Sequence, residues 1–215
     1  MIVILLAISA IFIAGCTSQS DVPTDTVPDT INTPPITSNV VAVVNGDEIS
    51  SEQVTAVQQS FLMQGQQIPE EDALEQLINQ LVLEQKVEEE NIVITTEDAE
   101  ILISEQLAMQ GATLEDYKQQ VASQGISYEQ DLENIKRQIA VQFYLESQLE
   151  GQSFEVTEQE AQEFYALYEQ QSVEEVPSYE ELEPQIIVAL EQQKQQEAII
   201  EHIQELRMNA DVEYK

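Results

Sequence analysis

Short apolar runs and longer segments with helical spacing alternate along this chain. Residues 40–54 read VVAVVNGDEISSEQV, and the β-branched run at their start is typical of one buried strand. Asn45 and Gly46 supply a tight turn, because both accept positive φ at little steric cost. Ser50, with Gln53 three residues later, forms a capping box that opens a helix. The stretch therefore predicts strand, turn and helix.

The signature of a helix start then recurs down the chain: a hydroxyl side chain followed three residues later by an acid or Gln. These pairs are Thr95 with Asp98, Thr113 with Asp116, Ser127 with Gln130, Thr157 with Glu160, and Ser178 with Glu181. Between them apolar residues recur at helical spacing, most regularly over residues 128–149. Asn91 fits a left-handed helix end. The middle of the chain is therefore predicted to be all helical.

The last predicted helix has a polar gap. Residues 191–197 read EQQKQQE, and a helix that is polar on every face is either exposed or bridges two packed regions. We expect a bridge, whose first part packs on the helix over 157–171 and whose last part returns to the N-terminal module. Pro184 is expected to kink this helix or restart it.

The strand at residues 40–44 needs a hydrogen-bonding partner. The best candidate is residues 211–214, which would bring Val212 and Tyr214 beside Val41 and Val43. We assign Val41, Val43 and Leu132 to the core. The expected fold is mainly α, with a small two-stranded sheet that joins the N- and C-terminal segments and a long C-terminal helix.

The chain begins with an apolar leader, residues 2–14, followed by Gly15 and Cys16, the sole cysteine. An apolar segment that ends in small residues is typical of an export signal, and it is too short to span a bilayer. The cysteine resembles the lipobox of membrane lipoproteins, which implies a lipid on Cys16. No Lys or Arg lies near Met1, which departs from the usual signal pattern. Residues 17–39, rich in Ser, Thr, Asp and Pro, predict a disordered tether.

Charge narrows the possible partners. The chain has 41 acidic residues against seven Lys and Arg, a formal net charge of −34. Such a field repels nucleic acid and anionic lipid head groups, so no nucleic-acid partner is expected. The acidity is consistent with a solvated, aggregation-resistant surface, with a dedicated acidic patch, or with adaptation to a salty environment.

Candidate chemistry is sparse. His202 is the only histidine, and its apolar helical neighbours favour a structural or solvent-facing role over catalysis. No nucleophile elbow, phosphate loop or calcium loop occurs, and residues 88–90 are a charge run. We therefore predict no catalytic residues, no metal and no cofactor.

Four stretches carry a resemblance to a known family. They are residues 40–54, residues 74–100 (LEQLINQLVLEQKVEEENIVITTEDAE), residues 111–142 and residues 178–214. Their order and spacing resemble the SurA-like periplasmic chaperones, a family that includes PrsA-type foldases and is related in its helical part to trigger factor. The resemblance covers most of residues 40–215. It implies an N-terminal helical module over 40–150, with the helix over 128–149 as its spine, completed by residues 151–215.

Many members of that family also carry parvulin modules that isomerise X-Pro bonds. In such relatives the module lies between the segments that match residues 157–171 and 178–210, where this chain has only residues 172–177. The family's Gly-Gly loop is missing, and the one histidine lies in a different element. The resemblance therefore implies a chaperone without isomerase chemistry.

Binding of unfolded chains needs exposed apolar surface rather than chemistry. Met and aromatic residues suit promiscuous contact, although at helical spacing they also suit a core. The candidates for client binding are Phe61, Leu62, Met63, Met109, Phe143, Tyr144, Tyr165 and Tyr168.

Three functions follow from these patterns. The first is a membrane-anchored holdase for unfolded or exported polypeptides, held on the outer face of a membrane. The second is a helical scaffold for one specific envelope partner. The third, a prolyl isomerase of the SurA or PrsA type, is suggested by the family and opposed by the residues.

Overall fold

The computed structural model describes residues 39–172 and 176–215, a helical protein with a small sheet. The leader at residues 2–14, Cys16 and residues 17–38 of the expected tether lie outside the described residues. The elements in chain order are β1 (Val40–Val44), β2 (Asp47–Ser50), α1 (Ser51–Met63), α2 (Glu70–Glu89), α3 (Thr96–Met109), α4 (Leu114–Ser123), α5 (Tyr128–Leu149), α6 (Glu158–Gln171), α7 (Tyr179–Asn209) and β3 (Val212–Tyr214). The expected mainly α fold with a long C-terminal helix is confirmed.

Each of the two compact units takes residues from several parts of the chain. The described part of the first unit comprises residues 39–77, Thr95–Lys136 and Val212–Lys215. The second unit comprises Ile78–Ile94 and Arg137–Asp211. Helices α2 and α5 therefore each contribute residues to both units.

The sheet closes the chain as predicted, but it has three strands rather than two. β1 lies in the middle and pairs antiparallel with β2 and with β3. Asn45 and Gly46, with φ of 51° and 101°, form the turn of a β1–β2 hairpin. An Asn-Gly pair is a strong hairpin signal. The sequence predicted a helix directly after the turn. It missed β2 because residues 47–48 are polar and do not show the apolar pattern of a strand.

The prediction of which β1 side chains are buried was wrong by one position. Ala42 and Val44 are fully buried, whereas Val41 and Val43 lie on the other face and are partly exposed. Val212 accordingly pairs with Val44, and Tyr214 pairs with Ala42. A continuous apolar run has no alternation, so it does not indicate which face turns inward.

The core of the first unit extends from the sheet into the helices. Ile49 of β2 is buried and pairs with the buried Ala42 of β1. Val54 of α1 is buried too, and Leu132 of α5 is buried as predicted. Tyr214 on β3 donates a hydrogen bond from Oη to Glu75 Oε1 on α2, at 2.8 Å. The short C-terminal strand is thus attached through both its backbone and a side chain.

The predicted helix caps are largely present. The hydroxyls of Ser50, Thr95, Thr113 and Thr157 accept hydrogen bonds from the backbone N–H three residues later, as an N-cap requires. The Ser127 hydroxyl donates to Glu129 Oε2, and α5 begins at the next residue. Asn91 has φ of 56°, which confirms the left-handed position after α2.

The C-terminal helix α7 does not restart at Pro184. It runs unbroken from Tyr179 to Asn209 with Pro184 in its second turn. Proline there removes the hydrogen bond that its own N–H would have made to the carbonyl of Glu180, and its ring crowds that carbonyl. The first part of α7 packs on α6, as predicted.

Candidate functional site

The eight predicted binding residues fall into both units and differ in exposure. In the first unit, Leu62 and Met63 are 63% and 55% exposed, Met109 is exposed and Phe61 is half-buried. In the second unit, the exposed ones are Phe143 and Tyr168, Tyr165 is half-buried, and Tyr144 is buried.

Tyr144 is a core residue, so its assignment to the binding surface was wrong. Its side chain is 2% exposed, and its Oη lies 2.8 Å from Nε2 of His202 on α7. Burial raises the pKa of Tyr144, and the nearby carboxylates of Glu90 and Glu89 raise it further. The phenol hydroxyl shares a hydrogen bond with the imidazole ring. This contact gives His202 a structural role, which is one of the two roles, structural or solvent-facing, that the sequence favoured.

Tyr165 supports the α6–α7 packing. Its Oη donates to the carbonyl oxygen of Pro177 at 2.9 Å, and its ring meets Tyr179 edge-on with centroids 5.7 Å apart. Lys194 joins the same helices, because its Nζ lies 2.8 Å from Glu160 Oε1 and donates to the carbonyl oxygen of Glu155. The ion pair and the Thr157 cap lower the pKa of Glu160 to about 2.

The outer side of α6 carries an apolar stripe. Phe164, Leu167 and Tyr168 are exposed and follow the i, i+3, i+4 spacing that places side chains on one helix face. We call these three residues the α6 stripe. A rigid row of two aromatic rings and a leucine can bind apolar side chains of another polypeptide.

At the end of α1 the apolar side chains are exposed for a different reason. Phe61, Leu62 and Met63 are consecutive, so a helix cannot turn all three toward one core. Phe61 is the most buried of the three, and the other two project from the last turn before the loop at Gly65. We call Leu62 and Met63 the α1 end.

The first unit also holds an open groove of about 570 Å³ along α3. Its lining residues are Thr96, Glu97, Glu100, Ile101, Ser104, Glu105 and Leu114. We call it the α3 groove. Ile101 is 50% exposed, so an apolar side chain is accessible in the groove.

Polar side-chain contacts hold α3, α4 and α5 together beside the α3 groove. Lys118 Nζ and Tyr128 Oη both donate to Glu100 Oε1, at 3.0 and 2.9 Å. These two hydrogen bonds lower the pKa of Glu100, Lys118 contributing most. The ammonium of Lys118 also lies 4.5 Å from the centroid of the Tyr128 ring. In addition, Tyr117 Oη donates to Asp131, so α3, α4 and α5 are tied together.

Within residues 39–172 and 176–215, no three His, Cys, Asp or Glu side chains cluster as a metal site would require. Among those same residues no helix has both the length and the apolar character needed to cross a bilayer.

The fold is that of SurA-like chaperones, as the sequence resemblance predicted. A solved chain that matches with a TM-score of 0.62 is 16% identical, and the match covers 82% of this chain and 98% of that one. It comes from work on the virulence factor PEB4 and the periplasmic protein Cj1289 of the human pathogen Campylobacter jejuni, described there as two structurally related SurA-like chaperones. No family model matches the sequence, and no curated protein matches it.

Sequence reasoning missed several exposed apolar residues. Leu167 and Phe164 of the α6 stripe and Ile101 of the α3 groove were all overlooked. The spacing of Phe164, Leu167 and Tyr168 was visible in the sequence, but the same spacing also predicts a core face. Which face of α6 meets α7 depends on tertiary packing.

Proposed function

We propose that this protein is a chaperone that holds unfolded, exported polypeptides outside the cytoplasm, without prolyl isomerase chemistry. The observation that carries the proposal is exposed apolar surface on both units of a SurA-like fold. The α1 end, the α3 groove and the α6 stripe each offer apolar side chains to a partner. Apolar surface of this kind on a soluble domain is a mark of binding rather than of stability.

The apolar residues suit partners of varied sequence. Methionine and leucine at the α1 end have flexible side chains that adapt to different shapes. The aromatic rings of the α6 stripe add large contact area at little cost in side-chain entropy. Because the chain has a formal net charge of −34, its copies repel one another, and the protein can expose these surfaces and still resist self-association.

Two parts of the proposal, the lipid anchor and the lack of a parvulin module, are inferred from the sequence. A lipid on Cys16, after an apolar leader, would hold the protein at the outer face of a membrane. Only residues 172–177 separate the segments between which a parvulin module would lie. The partners we propose are therefore unfolded or exported polypeptides and the membrane that holds the lipid.

Aggregation of several unrelated unfolded proteins tests the function directly. The full chain is expected to suppress their aggregation at low molar ratio, as a holdase does. Suppression for one protein only would support the alternative, a scaffold for a specific envelope partner. No suppression for any of them would contradict the proposal.

A refolding reaction limited by proline isomerisation tests the absence of isomerase chemistry. Proline isomerisation takes roughly 10–100 s without a catalyst, so catalysis is readily measured. We expect the full chain to leave the rate of the slow phase unchanged. Acceleration that rises in proportion to the concentration of the chain would contradict this part of the proposal.

A further inference from the structure

The α3 groove combines two apolar side chains, Ile101 of α3 and Leu114 of α4, with two free carboxylates. Ile101 lies in the middle, and Glu97 and Glu105 lie four residues before and after it on the same helix. Among the described residues neither Glu97 nor Glu105 forms an ion pair, whereas Glu100 is engaged by Lys118. The uncompensated negative charge of the groove is therefore at its two ends.

This spacing matches an extended polypeptide. Glu105 lies eight positions after Glu97 on the α-helix, a rise of roughly 12 Å along the axis. Residues one and five of an extended strand lie roughly 13 Å apart, and residues one, three and five point to the same side. An apolar residue at position three would then reach Ile101 while positions one and five meet the carboxylates.

We propose that the α3 groove binds extended segments of client polypeptides that carry basic residues at positions one and five and an apolar residue at position three. This inference rests on the proposed chaperone function and names the client sequences that it favours. Charge complementarity carries the choice of occupant, since a second copy of this chain has a net charge of −34 and would be repelled.

The first test measures peptide binding to the full chain by fluorescence anisotropy. The probe is a labelled nine-residue peptide with Lys, Leu and Lys at alternate positions. One matched peptide replaces both Lys by Glu, and another keeps the composition but places the two Lys side by side. We expect the probe to bind most tightly, and more weakly as salt rises, because exposed ion pairs are screened. Equal affinity for all three peptides would overturn the proposal.

The second test removes the two carboxylates. Glu97→Gln with Glu105→Gln is expected to raise the Kd of the probe roughly 2- to 30-fold, the effect of losing two exposed ion pairs. Glu70→Gln with Glu71→Gln at the start of α2 makes the same change in net charge outside the groove, and it is expected to leave the Kd unchanged. Equal weakening by both pairs would show a general charge effect and overturn the proposal.

Other results separate this proposal from the proposed function. If the chain suppresses aggregation but the groove variant binds the probe like the unchanged protein, the groove assignment fails and the chaperone function stands. If the probe binds at the groove but aggregation is not suppressed, the chaperone function fails and the peptide site stands. A change in sedimentation coefficient of the groove variant without a change in Kd would point to a second copy as the occupant and overturn the proposal.

Discussion

The sheet of the first unit and the α6–α7 pair of the second are stabilised in different ways. The three strands are short, yet Ala42, Val44 and Ile49 are almost completely buried and the backbone is hydrogen-bonded on both sides of β1. The two helices are much longer, yet only Ala161 and Ile186 are buried in them. Their contact relies on tyrosines and on Lys194.

This difference indicates how a helical protein can keep apolar surface exposed. Where the core is thin, few apolar side chains are used for packing, and polar contacts fix the helices instead. The remaining apolar residues, such as Phe164 and Leu167, then stay accessible. Regions with few buried contacts are also the ones that open most easily, which suits binding to irregular partners.

The largest expected effect is in the sheet. Ile49→Ala removes a fully buried side chain and is expected to lower the free energy of unfolding by about 2–5 kcal/mol. Ile200→Ala on α7 removes a side chain of the same size that is about half exposed, and should change stability by less than about 0.5 kcal/mol. Urea denaturation of both variants measures the difference. Similar losses of unfolding free energy in the two variants would contradict the proposed difference between the sheet and the α6–α7 pair.

A smaller effect on stability is expected from the hydrogen bond between Tyr144 and His202 in the second unit. Tyr144→Phe removes the hydroxyl that meets His202 and is expected to cost about 1 kcal/mol, the usual net value of one hydrogen bond. A double-mutant cycle with His202→Gln checks this. His202→Gln should cost less in the Tyr144→Phe variant, where the hydrogen bond is already absent, than in the unchanged protein. Additive losses would mean that the two side chains do not interact.

The Lys194–Glu160 ion pair should make stability depend on pH. The pKa of Glu160 is about 2 in the folded chain, below its ordinary 4.5, so folding favours the ionised form. The pair therefore stabilises the protein above pH 4.5 and loses that contribution as the pH falls toward 2. The difference in Tm between the unchanged protein and Lys194→Gln should shrink over this range. A difference that stays constant down to pH 2 would contradict the assignment.

Much of the fold could be predicted because its signals are local. Thr95, Thr113 and Thr157 cap helices by bonding to a residue three positions away, so each start can be identified from four residues. Closure of the sheet by residues 212–214 was also predicted, since β1 needed a partner.

The parts that could not be predicted depend on tertiary contacts. The apolar run of β1 gives no indication of which residues face inward, so Val41 and Val43 were wrongly assigned to the core. The sequence around Tyr144 does not distinguish a buried aromatic residue from an exposed one. Its hydrogen-bonding partner, His202, is 58 residues away along the chain. The α3 groove likewise requires α3 and the start of α4 to be placed together.

The smallest effect on stability is expected at the exposed surfaces. Leu62→Ser with Met63→Ser, and Phe164→Ser with Leu167→Ser, should each change the free energy of unfolding by less than about 1 kcal/mol, since these side chains are exposed. Val93→Ser, at a position 80% exposed and outside both surfaces, is the matched control. Urea denaturation checks each variant, and a loss of several kcal/mol would place the residues in the core.

Binding of a permanently unfolded client by these same variants tests the central claim most directly. The dissociation constant of a reduced, carboxymethylated protein for the full chain is measured by fluorescence anisotropy. We predict that each double variant weakens binding roughly tenfold, or about 1.4 kcal/mol, while Val93→Ser binds like the unchanged protein. Unchanged affinity in both double variants, or no binding by the unchanged protein, would contradict the account.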